Sequence, residues 1–409
     1  VTFDWRRRRV VAVLALGLGL RLGYAWHGFH ANYLPTSSDG YETIALSMLD
    51  RGEYAMDPGV PTSMREPSYP LFIAGIYAVF GRHPGLIIFL HCLLSVATGW
   101  FLFLTGRRLL DEDTAWAALA VFMLYPQSVY YCAYFFRESW LCFWFGLMLY
   151  QSVFWSAPAG DPAGDRGAWL GGAAAAVFGL GNSAVLPACA LSGLLLWFAA
   201  PKITRVRRFA FYTLPLVLAF GAWTARNYAV QMHFVAGSTH GGVEFYRALI
   251  VPPELQNSSK QIEILRADPL FDQTAKFNEF DQNQAFMKAS FAWIAAHPAT
   301  FISRAFAGYM KYWKLWPYRY NYQHSYFLLV LASLLSDGWI VPLGFLGAWL
   351  LRRRWRELPA LPASIFAMTF VYGTVHAVIR YRLPLMGGMI LLACAAVSSF
   401  LRSRPKITV

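Results

Sequence analysis

Long apolar stretches separated by short basic clusters organise this chain. A spanning helix needs about 20 predominantly apolar residues, fewer where the protein shields it. On that measure the pattern predicts ten transmembrane helices, at 10–27, 84–106, 113–126, 138–156, 168–181, 183–200, 209–226, 325–351, 358–378 and 383–402. Two further apolar stretches read differently. Residues 67–81 form a short run that begins with Pro67 and Tyr69. Residues 300–316 are amphipathic, with Arg304, Lys311 and Lys314 among aromatics. Both are expected to lie in the membrane interface rather than to cross it.

The basic clusters orient the helices. Arg6 to Arg9, Arg107-Arg108, Lys202 to Arg208, Arg352 to Arg356 and Arg402 to Lys406 follow one another along the chain. With ten spans and an inside N-terminus, all five fall on the cytoplasmic side, as the positive-inside rule requires. Two large loops then lie outside, at 28–83 and 227–324. The first apolar run follows four arginines and has no small-residue cleavage site, so it reads as an anchor that stays attached. No separate soluble domain is expected, and residues 1–409 are taken as one integral-membrane unit.

Composition agrees with this class. The chain has 409 residues, of which 57% are hydrophobic and only 14% charged. A soluble domain carries nearer ~25% charged residues. The net charge of +13 comes from clusters between apolar runs, a pattern of membrane orientation rather than of nucleic-acid binding. The five cysteines include no C-x-x-C and read as buried thiols, without a disulfide framework or zinc site.

Chemistry gathers at a few positions. Arg380-Tyr381-Arg382-Leu383-Pro384 places two guanidinium groups at the mouth of the last apolar helix. It suits either an interfacial anchor or a phosphate whose tail lies in lipid. Ser37-Ser38-Asp39-Gly40-Tyr41-Glu42 opens the first loop. There Ser38 or Asp39 is placed to cap a helix over 41–49, or Asp39 to act as a general base. Arg65-Glu66-Pro67-Ser68-Tyr69-Pro70 combines a charge pair with a rigid extended segment. Arg137-Glu138 is either a local pair capping the next helix or the source of a second acid facing Asp39. Ser238-Thr239-His240-Gly241-Gly242 is a turn that a sugar or phosphate can approach. Asp337-Gly338 is expected to break the 325–351 helix. His91 and His376 read as interior histidines.

Taken in order, these landmarks, together with Trp223-Thr224-Ala225-Arg226-Asn227-Tyr228, resemble the GT-C superfamily of integral-membrane glycosyltransferases. The resemblance runs from about Arg21 to Ser399. It is nearest the bacterial branch of protein O-mannosyltransferase-like and aminoarabinose-transferase-like enzymes. It implies an all-α polytopic fold in the bacterial inner membrane, with both termini cytoplasmic and a periplasmic active site. It also implies a polyprenyl-phosphate sugar donor and a lipid, glycan or protein acceptor. Asp39 matches the catalytic acid of the first loop. Glu138 stands where relatives carry a second acid, and the two are the pair on which a divalent cation is considered. No other cofactor is implied. Arg380 and Arg382 match the phosphate-side arginines, with Arg226 and Arg65 as helpers. Tyr41, Glu42, Tyr69, His240 and Tyr381 are the expected substrate contacts. The prenyl tail is expected in an aromatic groove bounded by the 67–81 helix and the later spans.

The chain departs from the pattern at three points. Gly181-Asn182-Ser183-Ala184 replaces an Arg-Pro pair common in relatives. The soluble C-terminal domain of many relatives is not expected here. Trp316-Pro317-Tyr318 is not the Trp-Trp-Asp signature of oligosaccharyltransferases. The rival reading is a transporter or flippase of a lipid-linked sugar, which places ionisable residues near the midplane and shows internal repeats.

The orientation is testable. Reporter fusions at Arg107, Arg205 and Arg354 should read cytoplasmic, and a fusion near Gln256 external. A cytoplasmic signal from the Gln256 loop would overturn the arrangement of the outer loops.

Overall fold

The structure, a computed structural model, describes residues 5–30, 39–256, 258–317 and 326–403. Ser37, Ser38, Tyr318, Arg404 and Lys406 lie outside the described residues, as do the parts of the two loops at 31–38 and 318–324. The chain is almost entirely helical. The only sheet among the described residues is a small antiparallel hairpin, Ala55–Asp57 with Val60–Pro61, turned at Gly59.

Each of the ten apolar stretches forms a helix. They are α1 (Trp5–His30), α4 (Pro84–Leu109), α5 (Glu112–Leu124), α7 (Glu138–Ser152), α8 (Pro162–Gly179), α9 (Leu186–Ala199), α10 (Arg205–Gln231), α16 (Tyr326–Leu350), α17 (Ala360–Val375) and α18 (Leu383–Ser403). Four helical segments are long and apolar enough to cross a membrane by length and composition, at Arg8–Gly28, Pro84–Leu109, Tyr326–Leu350 and Ile379–Arg402. The others are shorter or carry more charge. The two stretches read as interfacial are also helices, α3 (Ser68–Phe80) and α15 (Pro298–Tyr312).

Local chemistry sets many of the helix starts. Proline stands at the first turn of α4, α8 and α15, where its missing N–H costs nothing. Asp111 and Asp161 accept backbone N–H groups at the starts of α5 and α8. The remaining helices of the loops are α2 (Tyr41–Arg51), α6 (Pro126–Cys132), α11 (Gly241–Ile250), α12 (Ser259–Ala267), α13 (Pro269–Thr274) and α14 (Glu279–Ala296).

α18 is the most enclosed helix. Every residue from Arg382 to Ala396 is buried. It packs on α16, α5 and α7. At Gly347 of α16, an added Cβ would lie 2.0 Å from the Leu392 carbonyl oxygen. Small residues let helix backbones meet closely where lipid offers no hydrophobic drive. The main core joins α4, α5, α7–α10 and α16–α18, and a smaller one joins α2, α3, α4 and α6. All five cysteines are free and buried.

One expectation is corrected. Asp337 does not break α16, which runs unbroken through it. Asp337 is fully buried. It accepts hydrogen bonds from Tyr125 Oη at 2.7 Å and Gln127 Nε2 at 2.8 Å, and pairs with Arg382 at 2.5 Å. Arg382 also donates to the carbonyls of Tyr312 (3.0 Å) and Lys314 (2.8 Å). A buried charge needs such enclosure, and removing one partner strands the other.

Asp337→Asn or Arg382→Met should each cost about 3–5 kcal/mol of stability. The double substitution Asp337→Leu/Arg382→Met should cost less than the two single effects added together. Thermal unfolding in detergent checks this, and additive losses would refute the coupling.

Candidate active site

The mouth of α18 is where the predicted residues converge. Ile379–Arg382 forms a 3-10 turn leading into it. Arg380 turns toward α7, where its Nε lies 3.0 Å from Glu138 Oε1. Phe136 and Tyr381 flank the guanidinium at 4.9 and 5.3 Å. The contact is an ion pair rather than an aligned hydrogen bond. Both Arg380 Nε and Glu138 Oε2 are buried without a hydrogen-bond partner.

Asp39 enters from the first loop. Gly40 adopts φ 78°, a left-handed turn, and a Cβ there would crowd Met56. That turn starts α2 without any side-chain cap, so Asp39 does not cap the helix. Among the described residues nothing hydrogen-bonds to its carboxylate. Its backbone carbonyl accepts from Arg65 Nε at 3.0 Å. The carboxylate is close enough to Arg380 for its charge to act on the guanidinium.

A third acid completes the floor. Glu66 accepts from Ser183 N (2.8 Å), Ser183 Oγ (2.5 Å) and Arg137 Nη1 (3.1 Å). Burial alone would raise its carboxyl, but Arg137 and the Ser183 bonds hold it below the ordinary range. Arg137 also donates to the Gly181 carbonyl at 2.8 Å, and Asn182 Nδ2 to Tyr372 Oη at 2.7 Å. The Gly181–Ser183 segment thus forms a wall of the site. Tyr41 lies between Arg65 and Arg137, with guanidinium carbons 5.8 and 5.7 Å from its ring centre. Burial raises the Tyr41 phenol despite both arginines.

Two expected pairs do not form. Arg137 reaches Glu66 and Glu138 reaches Arg380, so Arg137-Glu138 is not a local ion pair. Arg65 likewise turns to Asp39 rather than to Glu66.

Several expected contacts are held inside the protein. Arg382 is fully buried, with Nη1 on two carbonyls and Nη2 on Asp337, and only its buried Nε is left without a hydrogen bond. Glu42 accepts from Tyr77 Oη (2.8 Å) and Arg82 Nε (3.1 Å), tying α2 to α3. Tyr69 is fully buried with its Oη 3.0 Å from His91 Nε2. Arg226 donates to the carbonyls of Thr62 (2.7 Å) and Tyr54 (3.1 Å) and docks the first loop on α10. Tyr381 packs on Tyr372, centroids 5.0 Å apart.

α11 closes the other side. His240 Nε2 lies 2.8 Å from Glu244 Oε1, and Arg247 pairs with Glu244 and reaches His376 Nε2 at 3.3 Å. Gly242 is part of this helix and packs against Asn283, so the Gly-Gly turn is structural here. Below it, Glu279 accepts from Thr62 Oγ1, Ser63 N (2.8 Å) and Thr239 Oγ1 (3.0 Å), joining the two large loops. Sequence reading missed Glu66, Glu244, Arg247 and Glu279 as organising residues. For Glu66 the flanking Arg65 and Pro67 were the available signal.

The residues present do not build a cation site. No group of three His, Cys, Asp or Glu side chains comes together among the described residues. Glu138 already faces an arginine, whereas Mg²⁺ and Ca²⁺ take six or more oxygens.

The fold has counterparts among solved structures. The apo Archaeoglobus fulgidus oligosaccharyltransferase superposes on 98% of this chain, with a TM-score of 0.60 at 12% identity. The chain shares that protein's fold, the fold the GT-C resemblance led one to expect. It spans about half the length of that protein, 51%. The archaeal oligosaccharyltransferase AglB from Archaeoglobus fulgidus, in complex with an inhibitory peptide and a dolichol-phosphate, gives a TM-score of 0.53 at 12% identity, over 98% of this chain and 50% of the other. ArnT from Cupriavidus metallidurans bound to undecaprenyl phosphate superposes more loosely, with a TM-score of 0.43 at 14% identity, over 98% of this chain and 79% of the other. No family model matches the chain, and no curated protein matches its sequence. At these identities the GT-C likeness fixes the fold and assigns no residue. With four helices of spanning length and composition, the chain is a multi-pass membrane protein.

Glu244 gives a pH signature. Burial pushes its carboxyl up, but the His240 hydrogen bond and the charges of His376 and Arg247 outweigh it and hold it at about 2. A carboxyl lowered on folding contributes stability above its ordinary 4.5, lost as pH falls toward the folded value. Wild type should therefore lose more stability than Glu244→Gln between pH 4.5 and 2. Parallel unfolding midpoints for the two across that window would contradict the assignment.

Proposed function

We propose that this protein is a glycosyltransferase. It moves a single sugar from a polyprenyl-phosphate donor to an acceptor hydroxyl on the periplasmic face of the bacterial inner membrane, inverting the anomeric carbon. One observation carries the reading. Asp39, free of any capping bond, and Arg380, exposed enough to meet a ligand, share the mouth of α18 within a GT-C fold.

In this mechanism the acceptor hydroxyl gives its proton to the Asp39 carboxylate. Its oxygen attacks the anomeric carbon opposite the phosphate. The bond from that carbon to the phosphate oxygen breaks, and the polyprenyl phosphate leaves with the electron pair. Arg380 stabilises the charge that develops there. Arg65 supports this indirectly, because its bond to the Asp39 carbonyl fixes the turn that presents the carboxylate. Glu138 orients Arg380 and limits its approach to a second anion. Arg382 is a positioning residue, since its hold on Asp337 sets the turn that carries Arg380. No step passes through a metal. The acceptor is a lipid, glycan or protein hydroxyl reaching the site beneath α11, where His240, Arg247 and Tyr381 are the available polar groups.

The transporter reading draws on Asp337, an acid buried within an apolar helix. Its three hydrogen-bonding partners leave it no vacant face for a cargo, which favours the enzyme.

Asp39→Asn should fold normally and lose roughly 10²–10⁴-fold in turnover of labelled polyprenyl-phosphate sugar. Arg380→Ala should weaken undecaprenyl phosphate binding roughly ten- to hundred-fold, and Arg380→Lys should recover only part, since an ammonium lacks the planar fork. Normal turnover in the Asn variant, or equal lipid binding by wild type and the Ala variant, would remove the proposed roles.

A further inference from the structure

An apolar cavity of about 740 Å³ lies along α15, α16, α17 and α18. Trp313, Phe345, Phe366 and Leu391 are among its walls, and α3 takes no part in it. It is therefore not the groove beside the 67–81 helix that the sequence led us to expect.

The cavity has a charged end and a closed end. At one end stand Arg352 and Arg354, in the 3-10 turn Arg352–Glu357. That turn holds four arginines against one glutamate; the glutamate, Glu357, also lines the cavity and pairs with Arg354 at 2.6 Å, leaving the other three arginines as the excess positive charge. Arg354 donates to the Leu109 carbonyl at 2.7 Å, which brings Arg107-Arg108 to the same end. At the other end Trp313 Nε1 is fixed on Thr369 Oγ1 at 3.1 Å. Phe366 and Phe370 are largely exposed, so the wall on that side is open to lipid.

We infer that this cavity binds one anionic glycerophospholipid. Its phosphate sits at Arg352 and Arg354, and an acyl chain fills the space between α16 and α17. Charge complementarity selects an anion, and the lateral opening selects an amphiphile from the bilayer over a soluble anion. Geometry separates the site from the candidate active site. Arg380 precedes the first residue of α18, whereas Arg402 near its far end pairs with Asp111 beside Leu110 at the cavity mouth. A helix of 21 residues is roughly 30 Å long. A phosphate at Arg380 and one at Arg354 therefore belong to different molecules. The inference does not rest on the glycosyltransferase reading.

Native mass spectrometry of the full chain in detergent tests it, with dioleoyl phosphatidylglycerol, dioleoyl phosphatidylcholine and undecaprenyl phosphate as probes. Wild type should retain one phosphatidylglycerol in preference to the other two. Arg352→Gln/Arg354→Gln should lower that affinity roughly ten- to hundred-fold, the scale of charged contacts to phosphate. Both side chains are exposed, so folding should survive, and an unchanged unfolding midpoint verifies it. Ala348→Trp should fill the cavity and expel the lipid with the arginines intact. Equal retention of phosphatidylglycerol and phosphatidylcholine, unchanged affinity in the double variant, or preference for undecaprenyl phosphate would each overturn the assignment.

Discussion

A carboxylate in the middle of an apolar helix cannot stand alone, and Asp337 is the constraint around which this bundle is arranged. Its partners arrive from separate parts of the chain: Tyr125 and Gln127 from the α5–α6 junction, Arg382 from the turn before α18. Arg382 carries the connection onward to the carbonyls that end α15. Four elements are thereby fixed at one point. Arg380 lies two residues from that point, so the direction of its guanidinium follows from a pairing it takes no part in. The ion pair is more a specification of geometry than a net source of stability, since desolvation offsets much of its attraction.

The two large loops use the same principle with weaker groups. Glu66 binds the first loop to the start of α7 and to the segment before α9. Glu279 binds it to α14 and to the turn before α11. Both acids are satisfied largely by backbone N–H and hydroxyl donors, which suits loops that must hold shape without an apolar core of their own. Among the buried polar atoms left without a hydrogen bond, Glu138 Oε2 and Arg380 Nε face each other at the mouth of α18. Unmet polar capacity in a buried place is where a ligand gains most.

The helices were legible because burial and lipid both demand runs of apolar residues, and all ten runs form helices. The two stretches at 67–81 and 300–316 were legible as helices from the same apolar spacing. Asp39 and Arg380 stood out because charge beside apolar spans is rare. The pairings were not legible. Glu66 and Arg137 are 71 residues apart, and Asp337 and Arg382 are 45 apart. A carboxylate carries no local mark of which distant cation it will meet. So Arg137-Glu138 looked like a pair and is not one, and Asp337 looked like a helix break because its partner was invisible. Glu279 sat unremarked in a polar stretch for the same reason.

The reach of Glu279 also imposes an order in time. Its acceptor oxygens hold Thr62 and Ser63, and Thr62 precedes it by 217 residues. At a synthesis rate of about 5–20 residues per second, that gap lasts roughly ten to forty seconds. Throughout this interval the ribosome has yet to deliver the residue that ties the first loop to the second. The loop bearing Asp39 is by then already held by Arg137, Ser183 and Arg226, so the bond between the two large loops is the last of its tethers to form.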